Sequence, residues 1–272
     1  MRRELGLVLA CVALASCKRS RPLGPDATLT FTKDGVTVRA LPLSELAKTV
    51  TPETVSGFDP YHRKPKRFRA LSLKRVLEAG FPGESLADKE FVLRAKDGYA
   101  VYFRGELAVT EGGYVAFEDL DVPSWEPIGP QRADPSPFYV VWSKPEQAEL
   151  EAYPRPWQLV KIEMVRFDVA YPHTSPGSAA SGPALAGYAL FRDRCFKCHA
   201  INREGGRVGP DLAVPKNVLE YRPVAQVRAY VKDPLSFRYG NMPPHPDLTE
   251  ANLDALVAYL EAMKDRKYDP GK

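Results

Sequence analysis

The stretch Cys195-Phe196-Lys197-Cys198-His199 decides how the last third of this 272-residue chain is read. Two thiols two residues apart, with an imidazole directly after the second, are the attachment signature of a c-type haem. At this spacing both sulfurs can form thioethers to the two vinyl groups on one porphyrin edge. His199 then falls beneath the ring, where it can bind iron as the proximal ligand. A zinc half-site would need a second Cys or His pair, and residues 18–194 hold no cysteine. A redox dithiol would open a helix after a strand of a parallel sheet, whereas helical patterns flank this motif.

The surrounding segment extends the pattern. Gly187 and Phe191 precede the first thiol, Gly209-Pro210-Asp211-Leu212 follows the histidine, and Asn241-Met242-Pro243-Pro244 comes next. Thr249 is a helix cap, and Leu253, Leu256, Val257 and Leu260 recur at i, i+3, i+4 and i+7 behind it. With these landmarks residues 183–272 resemble the class I cytochrome c family. The resemblance implies an all-α domain whose first helix packs on its last, and one covalently bound haem c. It implies that Cys195 and Cys198 carry the haem and that His199 and Met242 ligate iron. Pro210 would support the histidine, its carbonyl accepting the ring N–H. His245, three residues past Met242, is the rival sixth ligand; Met263 and Met164 read as core residues. A haem held on both sides has no open position for substrate, so the resemblance implies one-electron transfer and not an enzyme. Two other readings stand beside it: a haem subunit of an oxidoreductase whose front domain binds a further cofactor or substrate, and a gas sensor in which Met242 dissociates.

The other two cysteines lie in the leader. Arg2 and Arg3 precede an apolar run from Leu5 to Ala15, the layout of a signal peptide, and the run is shorter than the roughly 20 residues that span a bilayer. Leu14-Ala15-Ser16-Cys17 resembles the bacterial lipobox, so residues 1–17 read as a lipoprotein signal with Cys17 as the lipid attachment site. Several acyl chains make a stable anchor where one binds marginally; the rival is an ordinary cleaved signal that leaves Cys17 over. The expected location is the bacterial periplasm, lipid-anchored to a membrane, with inner or outer left open. Residues 18–26 are basic, carry two prolines and read as a tether. The four cysteines are then all spoken for, which leaves none for a disulfide.

Residues 27–171 read as a β-rich mixed α/β domain, and residues 172–182, dominated by Ser, Ala, Gly and Pro, as a linker. The fold class is therefore a two-domain one. Asp34-Gly35 and Asp97-Gly98 mark two hairpins. Leu71 to Gly80 predicts a short amphipathic helix closed by Gly80. Phe138 to Trp142 is a strand, and Leu159 to Val169 a strand with a bulge where the alternation slips at Val165. Phe68 to Leu73, Lys96 to Tyr99, Phe138 to Trp142 and Trp157 to Ile162 give residues 61–168 a weaker likeness to the molybdopterin-binding domain of sulfite-oxidase-type enzymes. That family binds molybdenum through a cysteine that this segment lacks. A cofactor-free descendant, used for docking or for covering the haem, fits the residues better.

Composition adds exclusions. A net charge of +4 from 38 basic and 34 acidic residues is too small to argue for nucleic acid. The expected partners are redox proteins and, through the anchor, a membrane, without nucleic acid or a small-molecule substrate. The basic stretch from Tyr61 to Arg69 reads as a solvated loop, with an anion site as the alternative. The acidic residues Glu106 to Glu126 either complement it or face water. Arg192, Arg194, Lys197, Arg203 and Arg207 form either a solvated surface or a docking face for an acidic protein.

Overall fold

The computed structural model describes residues 26–240 and 242–271. The leader, the lipobox with Cys17, the tether through Pro25, and Asn241 lie outside the described residues.

The first hairpin joins β1 (Thr28–Lys33) to β2 (Val36–Pro42). Asp34 and Gly35 take φ of 46° and 83°, the paired left-handed conformation for which an Asp-Gly turn is suited. There follow α1 (Leu43–Thr49), β3 (Glu53–Asp59), β4 (Lys64–Ser72), α2 (Leu73–Gly80), β5 (Glu90–Ala95), β6 (Ala100–Arg104) and α3 (Gly105–Ala108). Then come β7 (Gly113–Asp119), β8 (Tyr139–Trp142), β9 (Leu159–Val165) and α4 (Phe167–Ala170). One sheet runs β2-β1-β9-β5-β6, with β1 and β9 parallel, and the other runs β3-β4-β7-β8. Strand alternation gives the five-stranded sheet two apolar faces. Phe91, Leu93, Val101, Phe103 and Ile162 point into a core shared with Leu71, Val115, Val140 and Trp142 of the other sheet. Val92, Ala100 and Val165 point the opposite way, into a second core built with the C-terminal residues.

That C-terminal part comprises α5 (Gly182–Leu190), β10 (Ala200–Ile201), β11 (Glu204–Gly205), α6 (Val218–Tyr221), α7 (Val224–Lys232) and α8 (Glu250–Ala262). Thr249 caps α8, its hydroxyl accepting the Asn252 N–H. α5 crosses α8 at Gly187, where a Cβ would stand 1.9 Å from the Ala255 carbonyl oxygen. Only glycine permits that approach. Phe191 and Tyr259 close the crossing, ring centroids 5.3 Å apart.

Several expectations need correction. The C-terminal part is helical but not purely so, since Ala200–Ile201 and Glu204–Gly205 pair as a short antiparallel ribbon. β9 stops at Val165, and Phe167 and Val169 belong to α4 instead of a resumed strand. The neighbouring β5 begins at Glu90, opposite Val165. No ladder partner remains on that side, and the Glu90 carboxylate accepts the Phe167 N–H at 2.9 Å. The irregularity falls at the other end of β9, between Arg94 and Ala95 of its partner. Gly80 does close the short helix as expected, although not through a left-handed turn. It is the last residue of α2, and the Phe31 ring occupies the place its Cβ would take, at 2.0 Å.

The basic stretch is not a solvated loop. Asp59 accepts the N–H groups of Tyr61 and His62 in the turn, and Lys64 onward is strand. Lys66 is buried, bonded to Asp119 at 2.6 Å and Glu126 at 2.8 Å, while Arg67 pairs with Asp121 at 2.8 Å. The acidic stretch thus complements the basic one. The Ser/Gly/Pro-rich segment is also tied down at its start: His173 pairs with Glu204 at 2.6 Å and the Thr174 carbonyl accepts the Tyr259 hydroxyl at 2.7 Å.

Candidate haem site

α5 runs into a single π turn over Phe191–Cys195, closed by the Phe196 N–H on the Phe191 carbonyl at 2.8 Å. The chain then turns tightly, with the N–H groups of Cys198 and His199 both on the Cys195 carbonyl at 3.0 and 2.9 Å. This packs both thiols and the imidazole into one turn. The two cysteines are unpaired. Burial pushes the Cys195 thiol up to about 12 and the Cys198 thiol up to about 11. Neither is a ready thiolate at neutral pH, unlike the lowered thiols of redox dithiols. Among the described residues no group of three or more His, Cys, Asp and Glu side chains is placed to hold a metal ion, so the zinc reading finds no further ligands.

The His199 ring is fixed from two sides. Its Nδ1 lies 2.8 Å from the Pro210 carbonyl oxygen, and a Cβ on Gly209 would stand 2.4 Å from its Cε1. An N–H donated from Nδ1 leaves Nε2 with a free lone pair facing away from the bond, the arrangement metal-binding histidines use. Burial lowers the pKa of His199, which keeps the imidazole neutral as ligation requires. Asp211 builds the turn beneath, its carboxylate accepting the N–H groups of Arg203, Ala213 and Val214 at 2.6 to 2.9 Å.

Of the candidate sixth ligands, Met164 is buried in the first core and Met263 is wholly buried at the end of α8. Met242 is half-buried at the edge of the second core. His245 is buried, its main-chain N–H donating to the Val231 carbonyl at 3.1 Å. Burial, and then the Arg194 charge, lower its pKa.

The chain segment between these ligand candidates carries exposed apolar and aromatic side chains. Val208, Tyr221, Val224, Leu235, Phe237 and Tyr239, all lying between His199 and Met242 in the chain, are exposed. Exposed apolar surface of this kind is available to a bound apolar group.

Four of the five cations around the motif are engaged within the molecule, and Arg207 is exposed. Arg192 lies over the rings of Tyr102 and Phe167, 5.0 and 5.2 Å from their centroids, and Arg194 bonds Asp247 at 2.7 Å. Lys197 bonds Glu151 at 2.9 Å and Arg203 bonds Asp269 at 3.2 Å. Sequence reasoning missed Glu151 and Gly98 as neighbours of the motif. Each is distant along the chain, and neither sits in a local pattern.

Comparison with known proteins agrees with this geometry. Residues 184–264 match the family model described as Cytochrome c. Subunit 2 of cytochrome c oxidase from Alkalihalophilus pseudofirmus is 34% identical over 120 residues, which are 40% of this chain and 34% of that protein. The chain thus spans about a third of that relative's length. The C-terminal region is a cytochrome c domain, and such a domain implies covalently bound c-type haem and electron transfer. No helix among the described residues is long and apolar enough to cross a membrane.

Proposed function

We propose that the protein is a membrane-tethered, extracytoplasmic monohaem cytochrome that passes single electrons between redox proteins. In this reading Cys195 and Cys198 hold the haem through thioethers, and His199 and Met242 are the axial ligands. The haem supplies a one-electron couple at iron. The chain's own residues do the rest. The Pro210 carbonyl fixes the tautomer and aim of His199, Gly209 lets that ring settle, and Met242 supplies a soft thioether that raises the reduction potential relative to a second histidine. If His199 and Met242 both held the iron, this chain would offer no place on it for a substrate. Residues 27–171 are the descendant of a cofactor-binding domain, residues 172–182 join it to the haem domain, and lipid on Cys17 tethers the whole to a bacterial membrane.

The observation that carries the reading is the 2.8 Å contact between His199 Nδ1 and the Pro210 carbonyl directly behind the two thiols. The test is purification from a host that attaches haem c. One haem per chain that survives denaturation, a low-spin spectrum and reversible one-electron titration are expected; a high-spin ferric spectrum that binds carbon monoxide when reduced would favour the sensor reading. The likeness to an oxidase subunit favours a second reading, in which this chain is the haem-bearing partner of a terminal oxidase. Rapid oxidation of the reduced protein by such an oxidase, and not by a soluble reductase, would select it.

A further inference from the structure

The two residues between the haem-binding cysteines are occupied by the rest of the chain. Phe196 is wholly buried, with ring centroids 4.9 Å from Phe167 and 5.0 Å from Tyr171, both beyond the β-rich sheet's last strand. The Lys197 carbonyl accepts the Ala100 N–H at 2.9 Å, and its ammonium bonds both Glu151 oxygens at 2.9 and 3.1 Å. Arg194, just before the first thiol, reaches the same carboxylate at 3.3 Å. On the other side of the loop, the Arg207 N–H donates to the Gly98 carbonyl at 2.9 Å. Gly98 has φ of +95°, and a Cβ there would stand 3.0 Å from the Arg207 Cβ. The β5–β6 hairpin therefore lies across the attachment loop with two main-chain bonds, one through Gly98 in its turn and one through Ala100 at the start of β6.

We infer that the β-rich part is a fixed cap on the haem attachment loop, docked through Phe196, Lys197, Gly98 and Glu151, and that this cap sets the reduction potential. The inference rests on the electron-transfer reading above and goes further, by assigning the front part a role in tuning the haem. Two physical effects follow, with opposite signs. Exclusion of water from the loop disfavours the more highly charged ferric state and raises the potential, because solvent exposure is one of the levers on a haem couple. The Glu151 carboxylate acts the other way, since a negative charge near the loop stabilises ferric iron. Glu151 and Gly98 are positioning residues that act on the haem through the loop.

The test uses holoprotein and potentiometric titration. Glu151→Gln keeps shape and removes charge, and is expected to raise the potential while leaving the spectrum unchanged. Gly98→Val undocks the turn, and is expected to lower the potential and to open the Arg194 and Lys197 bonds to trypsin. Gly98→Ala, with a smaller side chain at the same left-handed position, is expected to fall between wild type and Gly98→Val in both readouts. Wild-type potentials in both Glu151→Gln and Gly98→Val, with haem attached, would overturn the inference and leave electron transfer standing. Glu151→Gln decides alone if the glycine variants fail to fold. Failure of the wild-type chain to retain haem would instead remove the reading on which the inference rests.

Discussion

The two halves of the molecule bury their apolar residues in different ways. The first core is closed by protein alone: Phe31, Phe91, Phe103 and Trp142 are buried between the two sheets, and Phe31 meets Phe81 edge-on at 5.5 Å. The C-terminal part closes the α5–α8 crossing equally well, yet leaves Val208, Tyr221, Val224, Leu235, Phe237 and Tyr239 exposed between His199 and Met242. Val36, Val38 and Phe58 of the β-rich half are exposed too, so the contrast lies in position: the exposed residues of the C-terminal part fall in the chain segment that joins the two ligand candidates. A haem that covered such residues would contribute about 25 cal/mol for each square ångström of apolar surface removed from water, and its binding would add to the folding free energy of that segment.

The largest expected effect follows from that contrast. Replacing Cys195 and Cys198 together by Ser removes the covalent attachment, and is expected to abolish haem retention on a denaturing gel. Residues 208–242 should become protease-sensitive while the β-rich core stays protected. Equal protection of both halves, read by limited proteolysis with mass spectrometry, would break the comparison.

Within the cytochrome domain, Gly187→Val forces a side chain into the Ala255 carbonyl and the Tyr259 Cβ. A loss on the order of 3 kcal/mol is expected from such overpacking, seen as a lower denaturation midpoint. Gly271→Val, where the nearest atom is 3.6 Å away and belongs to the Asp269 side chain, is the matched control and is expected to be near neutral.

How much of this was legible in the sequence depended on distance along the chain. The attachment turn is five consecutive residues and was readable as a motif; the Pro210 contact, 11 residues away, was expected only through the family resemblance. The Lys66 site was legible only as one of two alternatives, the acidic stretch either complementing the basic one or facing water, because Asp119 is 53 residues off and a run of cations looks the same in water or beneath a sheet. Phe167 and Val169 alternate as a strand would, but where β5 begins decides that β9 ends. The cap on the attachment loop depends on Gly98 and Glu151, and long-range docking of that kind leaves no local pattern.

The buried ion pair sharpens the contrast from the other side. Lys66 has no exposed side-chain surface and Asp119 almost none. Lys66→Ala leaves a carboxylate buried with one partner gone, and is expected to cost about 3–5 kcal/mol. The loss should appear in the β-rich unfolding transition with the haem spectrum unchanged.

The smallest effect is one of pH. Hydrogen bonds from Lys64 and then Lys66 hold the Glu126 carboxyl at about 2, below its ordinary 4.5. A lowered carboxylate pKa stabilises the fold fully above the ordinary value, and that contribution is lost as pH falls from about 4.5 toward 2. Urea midpoints measured across this window should decline in the wild type and decline less in Glu126→Gln. Parallel curves would show that the pair contributes nothing measurable.

The central claim is that this domain holds haem between His199 and Met242, and the ligand-to-iron charge-transfer band of the oxidised holoprotein tests it most directly. A sulfur-to-ferric-iron band at the red end of the visible spectrum is expected in the wild type, lost in Met242→Ala and kept in His245→Ala. A wild-type spectrum without that band, turned high-spin by His245→Ala and unaltered by Met242→Ala, would contradict the assignment and make His245 the ligand.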